Sequence, residues 1–581
     1  MTALISAMDN FTPSQLGENG HSEYTWSSNT REQIVQLSFQ LTRAASPKIV
    51  YALETRVDSI LSKLKSDFTT GLIVKEIYLE YMSIMFRLIG QTRDIIDGKG
   101  EYTLAYMQLS VWHKHFPELA MFALKCFVKS DELSDTDSSS SSSKHPYGSW
   151  KDIKHLVKYL ETNCKNNYSP LIVYAMQLLN DQLREDSVSE VPSLAAKWTP
   201  REKSQHSTLF CSLAKEYYSE YLQTAPNEQA IKKATVKTKM DYRKLITSLN
   251  RKLDTVQIKQ CANTWSEIVP TKQTSITMHK QKKAFLNVTK KGAQRSTSDD
   301  RIACAATFTE FAAKAAKGEV EVKGKRVGLN DFTKEALELI NSQQQKTAQA
   351  QLLNAQWLNN SLQTGSLGKM IAMVDVSGSM TGDPMNAAIA LGLRIAEKSM
   401  LGKRVLTFSS TPTWVKLDGA DNFVSMVSLL RVADWGMSTN FLAALNLILD
   451  AIVQQKLPAE DVEDMVLTIL SDMQIDSADS KSASLIDLIE EKYAAAGLRV
   501  CGKPYKPPHI LFWNLQSGTG FPTLSTRKNT SMMSGFSPAL LNLFCEQGLT
   551  ALQSASPWSL FIKSLENPRY SALDAKVREI L

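Results

Sequence analysis

A chain of 581 residues is too long for one hydrophobic core, so about two to four domains are expected. With 43% hydrophobic and 22% charged residues the composition is that of an ordinary soluble protein. The net charge of +7 is modest but uneven: residues 1–200 carry 20 basic and 23 acidic groups, residues 201–350 carry 27 and 15, and residues 351–581 carry 19 and 21. Only the middle third is basic, and a concentrated positive field suggests a polyanionic partner.

In chain order, residues 1–30 read as a polar N-terminal tail. They show no basic start followed by an apolar core, so no secretory leader is expected. Residues 31–365 read as helix after helix. "REQIVQLSFQLTR", "KIVYALETRVDSILSKLKSDF" and "SPLIVYAMQLLNDQLRED" all place apolar residues at three- and four-residue intervals. The most apolar run, "GLIVKEIYLEYMSIMFRLIG", is interrupted by Lys75, Glu76, Glu80 and Arg87, so it reads as an amphipathic core helix and no membrane span is expected. Stacked helical hairpins, a HEAT-like solenoid or ring, are the natural architecture, although no repeat period is visible. Residues 131–149 are polar and serine-rich and read as a flexible loop, either a plain linker or a phosphorylation target. The cysteines are scattered with no CxxC pair, which points to a reducing, cytoplasmic compartment.

From residue 366 to 581 the rhythm changes. "KMIAMVDV", "RVLTFSS", "DMVLTILSDM" and "HILFWNLQ" read as short apolar strands separated by helical segments. Almost continuously apolar strands require a parallel sheet covered on both faces, a doubly wound α/β domain. The fold class expected for the whole chain is therefore α plus α/β, multidomain. Ligands of such sheets bind at the carboxyl ends of the strands.

At one of those ends "MVDVSGSM" places Asp375, Ser377 and Ser379 in a D-x-S-x-S pattern. The same spacing at Asp137, Ser139 and Ser141 lies in the serine-rich loop and carries no meaning, so the strand before Asp375 and the helix after it make the difference. "WGMSTNF" puts Ser438 and Thr439 before another helix, and "LTILSDM" puts Asp472 at the end of another strand. Two carboxylates and several hydroxyls suit a hard cation: Mg²⁺ first, with Mn²⁺ or Ca²⁺ as alternatives. The rival reading keeps the fold and leaves both aspartates as helix caps. No Ser-His-Asp or Cys-His constellation accompanies the group, so binding is expected and not catalysis.

This set resembles the metal-ion-dependent adhesion site (MIDAS) of von Willebrand factor A domains. By position, Asp375, Ser377 and Ser379 match its first element, Thr439 its second and Asp472 its third. The resemblance implies that a partner's carboxylate completes the metal shell. A helical N-terminal region joined to such a domain resembles the TROVE-domain proteins, the ring-shaped Ro RNA-binding autoantigens. Closer still is an uncharacterised TROVE-like family known mainly from plants and large DNA viruses. "TRDIIDGKGEY", "YGSWKDIKHL", "SLAAKWTPREKS", "YRKLITSLNRKLDTVQIKQCANTWSEI" and "SGFSPALL" carry that resemblance. It implies RNA binding. The location expected is cytoplasmic, with the virion as the alternative for a viral source.

The basic middle supplies the nucleic-acid candidates: Lys237, Lys239, Arg243, Lys244, Arg251, Lys252, Lys280, Lys282, Lys283, Lys290, Lys291 and Arg295. On an ideal helix Leu245, Leu249, Leu253 and Val256 share one face while Arg243, Lys244, Arg251 and Lys252 fall on another. Tyr242, Trp265 and Phe285 lie among these charges, where exposed rings could stack on bases; singly, each is the better candidate for the core. The function expected is a non-enzymatic RNA-binding scaffold, RNA before DNA, with a Mg²⁺ site for an acidic protein partner. The alternative is a metal-dependent protein adaptor with no nucleic-acid role.

Overall fold

Helix formation begins where the sequence supplies caps. The structure, a computed structural model, describes residues 13–17, 20–43, 46–130, 145–163, 169–432, 440–474, 485–545 and 549–581. The Asn29 side chain accepts from the Glu32 N–H to start the helix Thr30–Gln40, and Ser46 with Pro47 starts Pro47–Thr69. Helices then follow one another to Ala348–Ser361. None of the described helices is long and apolar enough to cross a membrane.

Two short strands, β1 (Ser14–Leu16) and β2 (Ser22–Tyr24), precede the helices. Six more form the large sheet: β3 (Met370–Asp375), β4 (Arg404–Phe408), β5 (Thr413–Lys416), β6 (Val466–Ser471), β7 (His509–Asn514) and β8 (Thr530–Ser534). Their order is β5-β4-β3-β6-β7-β8, all parallel except the antiparallel edge strand β5. Side chains alternate across it, as the pleat requires. Ala372 and Val374 of β3 join a core shared with the helix Asp383–Lys398, whereas Met373 joins one shared with Phe441–Gln455 and Leu485–Cys501. The strand order reverses between β3 and β6, which makes their carboxyl ends the switch point of the sheet.

Close approach on the first face needs a glycine. A Cβ on Gly392 would lie 2.5 Å from Val374 Cγ2, one residue before Asp375. Gly392→Ala is expected to destabilise the protein by about 1–3 kcal/mol through overpacking, read as a lower denaturant midpoint with an unchanged slope.

Four sequence expectations need correction. Residues 1–30 are not all tail: β1 and β2 form a hairpin, and Tyr24 exchanges two backbone hydrogen bonds with Phe521. The strands β5 and β8 have no counterpart among the expected elements; β5 turns back on β4 through a short connection, which only an antiparallel pair allows. The loop expected over 131–149 has residues 131–144 outside the described residues, but Tyr147 and Gly148 are buried, their N–H groups donating to Cys126 and Phe127. The continuous leucine face through Val256 is broken, because the helix Glu228–Lys252 ends at Leu253 and Asp254 takes a left-handed φ of 47°.

The helical and α/β parts interlock. The last helices, Pro557–Leu565 and Ser571–Ile580, pack against Lys75–Arg93. Between them Arg569 forks onto buried Asp94, with Nε–Oδ2 and Nη2–Oδ1 both 2.8 Å, and Tyr570 donates to the same carboxylate. Tyr147 donates to the Arg569 carbonyl at 2.5 Å, and Gln91 to Ser564 at 2.6 Å. At the carboxyl end of β8, Lys99 Nζ donates to Ser38 O, Leu41 O and Ser534 Oγ.

Candidate functional site

The switch point gathers the oxygen donors expected from D-x-S-x-S. Asp375 ends β3 and is fully buried. Its Oδ1 accepts from the Ser377 N–H at 2.9 Å, and its Oδ2 accepts from the Ser471 hydroxyl at 2.6 Å. The Ser377 and Ser379 hydroxyls lie 3.1 Å apart, with Ser377 buried and Ser379 exposed. Asp472 follows β6, is 4% exposed, and accepts from the Gln474 N–H at 3.1 Å. Met473 turns left-handed at φ 64°, with its N–H donating to Ser471.

Electrostatics test whether a cation fits. Burial, and then the negative charge of Asp472, push the Asp375 carboxyl up to about 7. Two carboxylates sharing a buried edge repel each other, and a divalent cation relieves that repulsion. Among the described residues no cluster of three or more His, Cys, Asp and Glu side chains is placed to hold a metal ion. The donor set here is instead two carboxylates with hydroxyls, the hard-oxygen chemistry that Mg²⁺ takes. Thr439 lies outside the described residues. Ser471 is a member of the group that the sequence pattern does not single out; only its pairing register beside Asp375 reveals it. His509, the one histidine in this part of the chain, starts β7 at the opposite edge of the sheet, where it is buried against Ser531.

The nucleic-acid candidates divide. Lys282 is 1% exposed and bound to Glu335 at 2.8 Å and to Gln356 at 3.2 Å, so it serves the interior and is removed from the set. Arg243 and Lys239 share Glu202, Lys244 meets Asp241, Lys283 meets Glu338, and Lys237 lies 4.1 Å from the Tyr221 ring centroid. Arg251, Lys252, Lys280, Lys290, Lys291 and Arg295 are exposed. Tyr242 and Phe285 are buried, Tyr242 donating to Asn180 and Phe285 stacked on Phe308, while Arg301 covers Trp265 at 3.6 Å. Tyr242 and Phe285 therefore serve the core, and Arg301 takes one face of half-buried Trp265.

A second cationic group, which the sequence does not announce, lies on the helix Lys151–Asn163 and the segment 197–206. Lys151, Lys154, Lys197 and Arg201 have no carboxylate within ion-pair distance among the described residues. Burial first holds the Lys151 and Lys154 amines below their ordinary range; Lys280 and Arg93 add to this on Lys151 against the opposing charge of Asp152, and Lys151 and Arg201 add to it on Lys154. His155 beside them is pushed down to about 4 by burial and by Lys151, Lys154 and His206. Trp198 lies 5.0 Å from Lys154 Nζ and 5.8 Å from Lys197 Nζ, and Tyr102, 48% exposed, lies 5.9 Å from Lys151 Nζ. A K-x-x-K spacing and a Lys-Trp step are the available signals, hidden inside a third of the chain whose net charge is negative.

Comparison with known proteins covers both parts. Residues 369–566 match a family model described as "Domain of unknown function (DUF7788)". The matched span holds the whole six-stranded sheet with Asp375 and Asp472. Across most of its length the chain is similar to an uncharacterized protein of Acanthamoeba polyphaga mimivirus, 28% identical over 514 residues, covering 84% of this chain and 80% of that protein.

Proposed function

We propose that this protein is a non-enzymatic RNA-binding scaffold whose α/β part is a von Willebrand A-like domain with a Mg²⁺-dependent adhesion site, joined to a TROVE-like helical body. The observation that carries the RNA reading is the group Lys151, Lys154, Lys197 and Arg201: cations with no carboxylate within ion-pair distance among the described residues, flanked by Trp198 and Tyr102. Half-buried amines crowded by other cations gain most from phosphates, and adjoining rings suit unpaired bases. Lys280, from the sequence-derived set, joins this group through its effect on Lys151. Support for the adhesion site comes from the strand order, from D-x-S-x-S at the switch point, and from the raised Asp375 carboxyl.

Filter binding of labelled single-stranded RNA across a salt series tests the RNA reading. Wild-type affinity is expected to fall steeply with salt. In Lys151→Gln/Lys154→Gln/Lys197→Gln it should drop at least about tenfold, with a log–log salt slope shallower by about 0.7 for each phosphate no longer neutralised. Unchanged affinity and slope in the triple variant would rule RNA out as the ligand of this group. The adaptor reading is favoured by exposed Ser379, which leaves the oxygen cluster accessible to an outside carboxylate. It predicts no salt-dependent RNA affinity in the wild type and loss of acidic-partner capture in Asp375→Ala, whereas the scaffold reading predicts that Asp375→Ala binds RNA as the wild type does.

A further inference from the structure

A cavity of about 220 Å³ lies at the junction of the helical and α/β parts. Three segments build most of its wall: the loop 95–100 after Lys75–Arg93 and the segment 325–330 leading into the helix Leu329–Asn341, which bring charge and glycine, and the uncharged turn 536–539 after β8. Arg43, Lys99, Lys325 and Arg326 line it, and Asp97 is the one acidic side chain on the wall. The four cations are not equally free. Arg43 is held by Glu101 and Asp383, and the Lys99 amine is used up on Ser38, Leu41 and Ser534. Lys325 is exposed and has no ion pair among the described residues. Arg326 is half-buried with no carboxylate within ion-pair distance among the described residues, and it makes only two long bonds, 3.4 Å each, to Ile95 O and Gln363 Oε1. The helix behind this pair begins at Gly328, which gives its first N–H groups no side-chain cap. A guanidinium and an amine therefore line one cavity beside the start of a 13-residue helix, whose first turn also carries Asp331.

We propose that this junction cavity binds the phosphate group of a small organic phosphate through Lys325, Arg326 and the start of the helix Leu329–Asn341. Arg326 supplies the planar fork that phosphate oxygens match, and Lys325 supplies a mobile point charge. The cavity is smaller than the range of about 300–1,000 Å³ usual for whole drug-sized ligands, so it suits the phosphate and little more. A neighbouring cleft of about 430 Å³ shares the wall residues Asp97, Ala539 and Asn542 with it and has room for the organic remainder. Because both parts of the chain line the cavity, the bound phosphate would tie them together. This site is separate from the Lys151 group and does not rest on the RNA reading.

Isothermal titration of inorganic phosphate and of pyrophosphate into the full chain at pH 8 tests it. Saturable binding at one site is expected, weakened at least tenfold in Lys325→Gln/Arg326→Gln. Asp97→Asn keeps the side-chain shape beside Asn567 and removes the one lining acid, so it is expected to tighten binding several-fold. Two variants with opposite signs separate a built site from general damage, and thermal melts confirm that both fold. Absence of saturable binding in the wild type, unchanged affinity in the double variant, or an equal loss in Lys151→Gln/Lys154→Gln would overturn the assignment.

Discussion

Replacing Arg569 by methionine is expected to lower the unfolding free energy by about 3–5 kcal/mol, the range for breaking a buried, hydrogen-bonded ion pair from one side. Asp94 is fully buried and receives two guanidinium bonds of 2.8 Å, and Tyr570 donates to it as well. Without Arg569 that carboxylate stays buried with its charge uncompensated. Asp97 and Arg326 are electrostatic neighbours of the pair, so the damage extends to the junction. The double change Asp94→Asn/Arg569→Met should recover part of the loss, because no unpaired charge remains. Urea denaturation followed by circular dichroism measures both. A loss below about 1 kcal/mol in the single variant would mean that the C-terminal helices do not clamp the helical body.

The second large effect is a pH-dependent one at Asp375. In the unfolded chain an aspartate titrates near about 3.9. In the folded, metal-free protein burial and Asp472 raise Asp375 to about 7. Between those pH values the folded protein keeps a proton that the unfolded chain has released. The stability contributed by Asp375 is therefore full below about pH 4 and is lost as pH rises through 7, by up to about 4 kcal/mol. Asp375→Asn removes this titration, so the metal-free variant should gain stability relative to wild type as pH climbs from 4 to 8. Lys99 is lowered to about 7 from an ordinary amine, so its contribution changes only above that value. His155 and His509, both near 4, titrate in the Asp375 window but cancel when the variant is compared with wild type. Thermal melts in the presence of a chelator at a series of pH values check the prediction. A wild-type-minus-variant difference that stays flat from pH 4 to 8 would show that the two carboxylates do not interact as described.

The parts of the fold written in continuous apolar runs are legible in the sequence. β3, β6 and β7 and the helices between them follow from strand-length hydrophobic segments alternating with helical ones. β8 is not legible because "TSMMS" offers two methionines among small polar residues and is buried only by its neighbours. β5 lies on an edge and alternates weakly, so nothing in "TWVK" announces a reversal of direction. The link between Asp94 and Arg569 joins the two ends of the chain, and pairing over that distance leaves no local pattern.

The site is legible in the same uneven way. Asp375, Ser377, Ser379 and Asp472 can be found because strand ends on one edge of a parallel sheet converge. Ser471 cannot, since its role depends on which strand lies beside β3. Lys282 misleads because "HKQKK" looks like a solvated run, whereas its partner Glu335 comes from another helix. The Lys151 group stays hidden for the opposite reason: nearby acidic residues balance the charge count, but in space Asp152 turns inward to Arg93 and forms no ion pair with Lys151 or Lys154.

A hard divalent cation at the point where the strand order reverses is the central claim. Its most direct test is calorimetric titration of Mg²⁺ into the chelator-treated full-length protein at pH 8, in parallel with Asp375→Asn. The wild type should bind one equivalent and gain thermal stability with added Mg²⁺, and the variant should do neither. No binding by the wild type at millimolar Mg²⁺, or equal binding by both proteins, would contradict it.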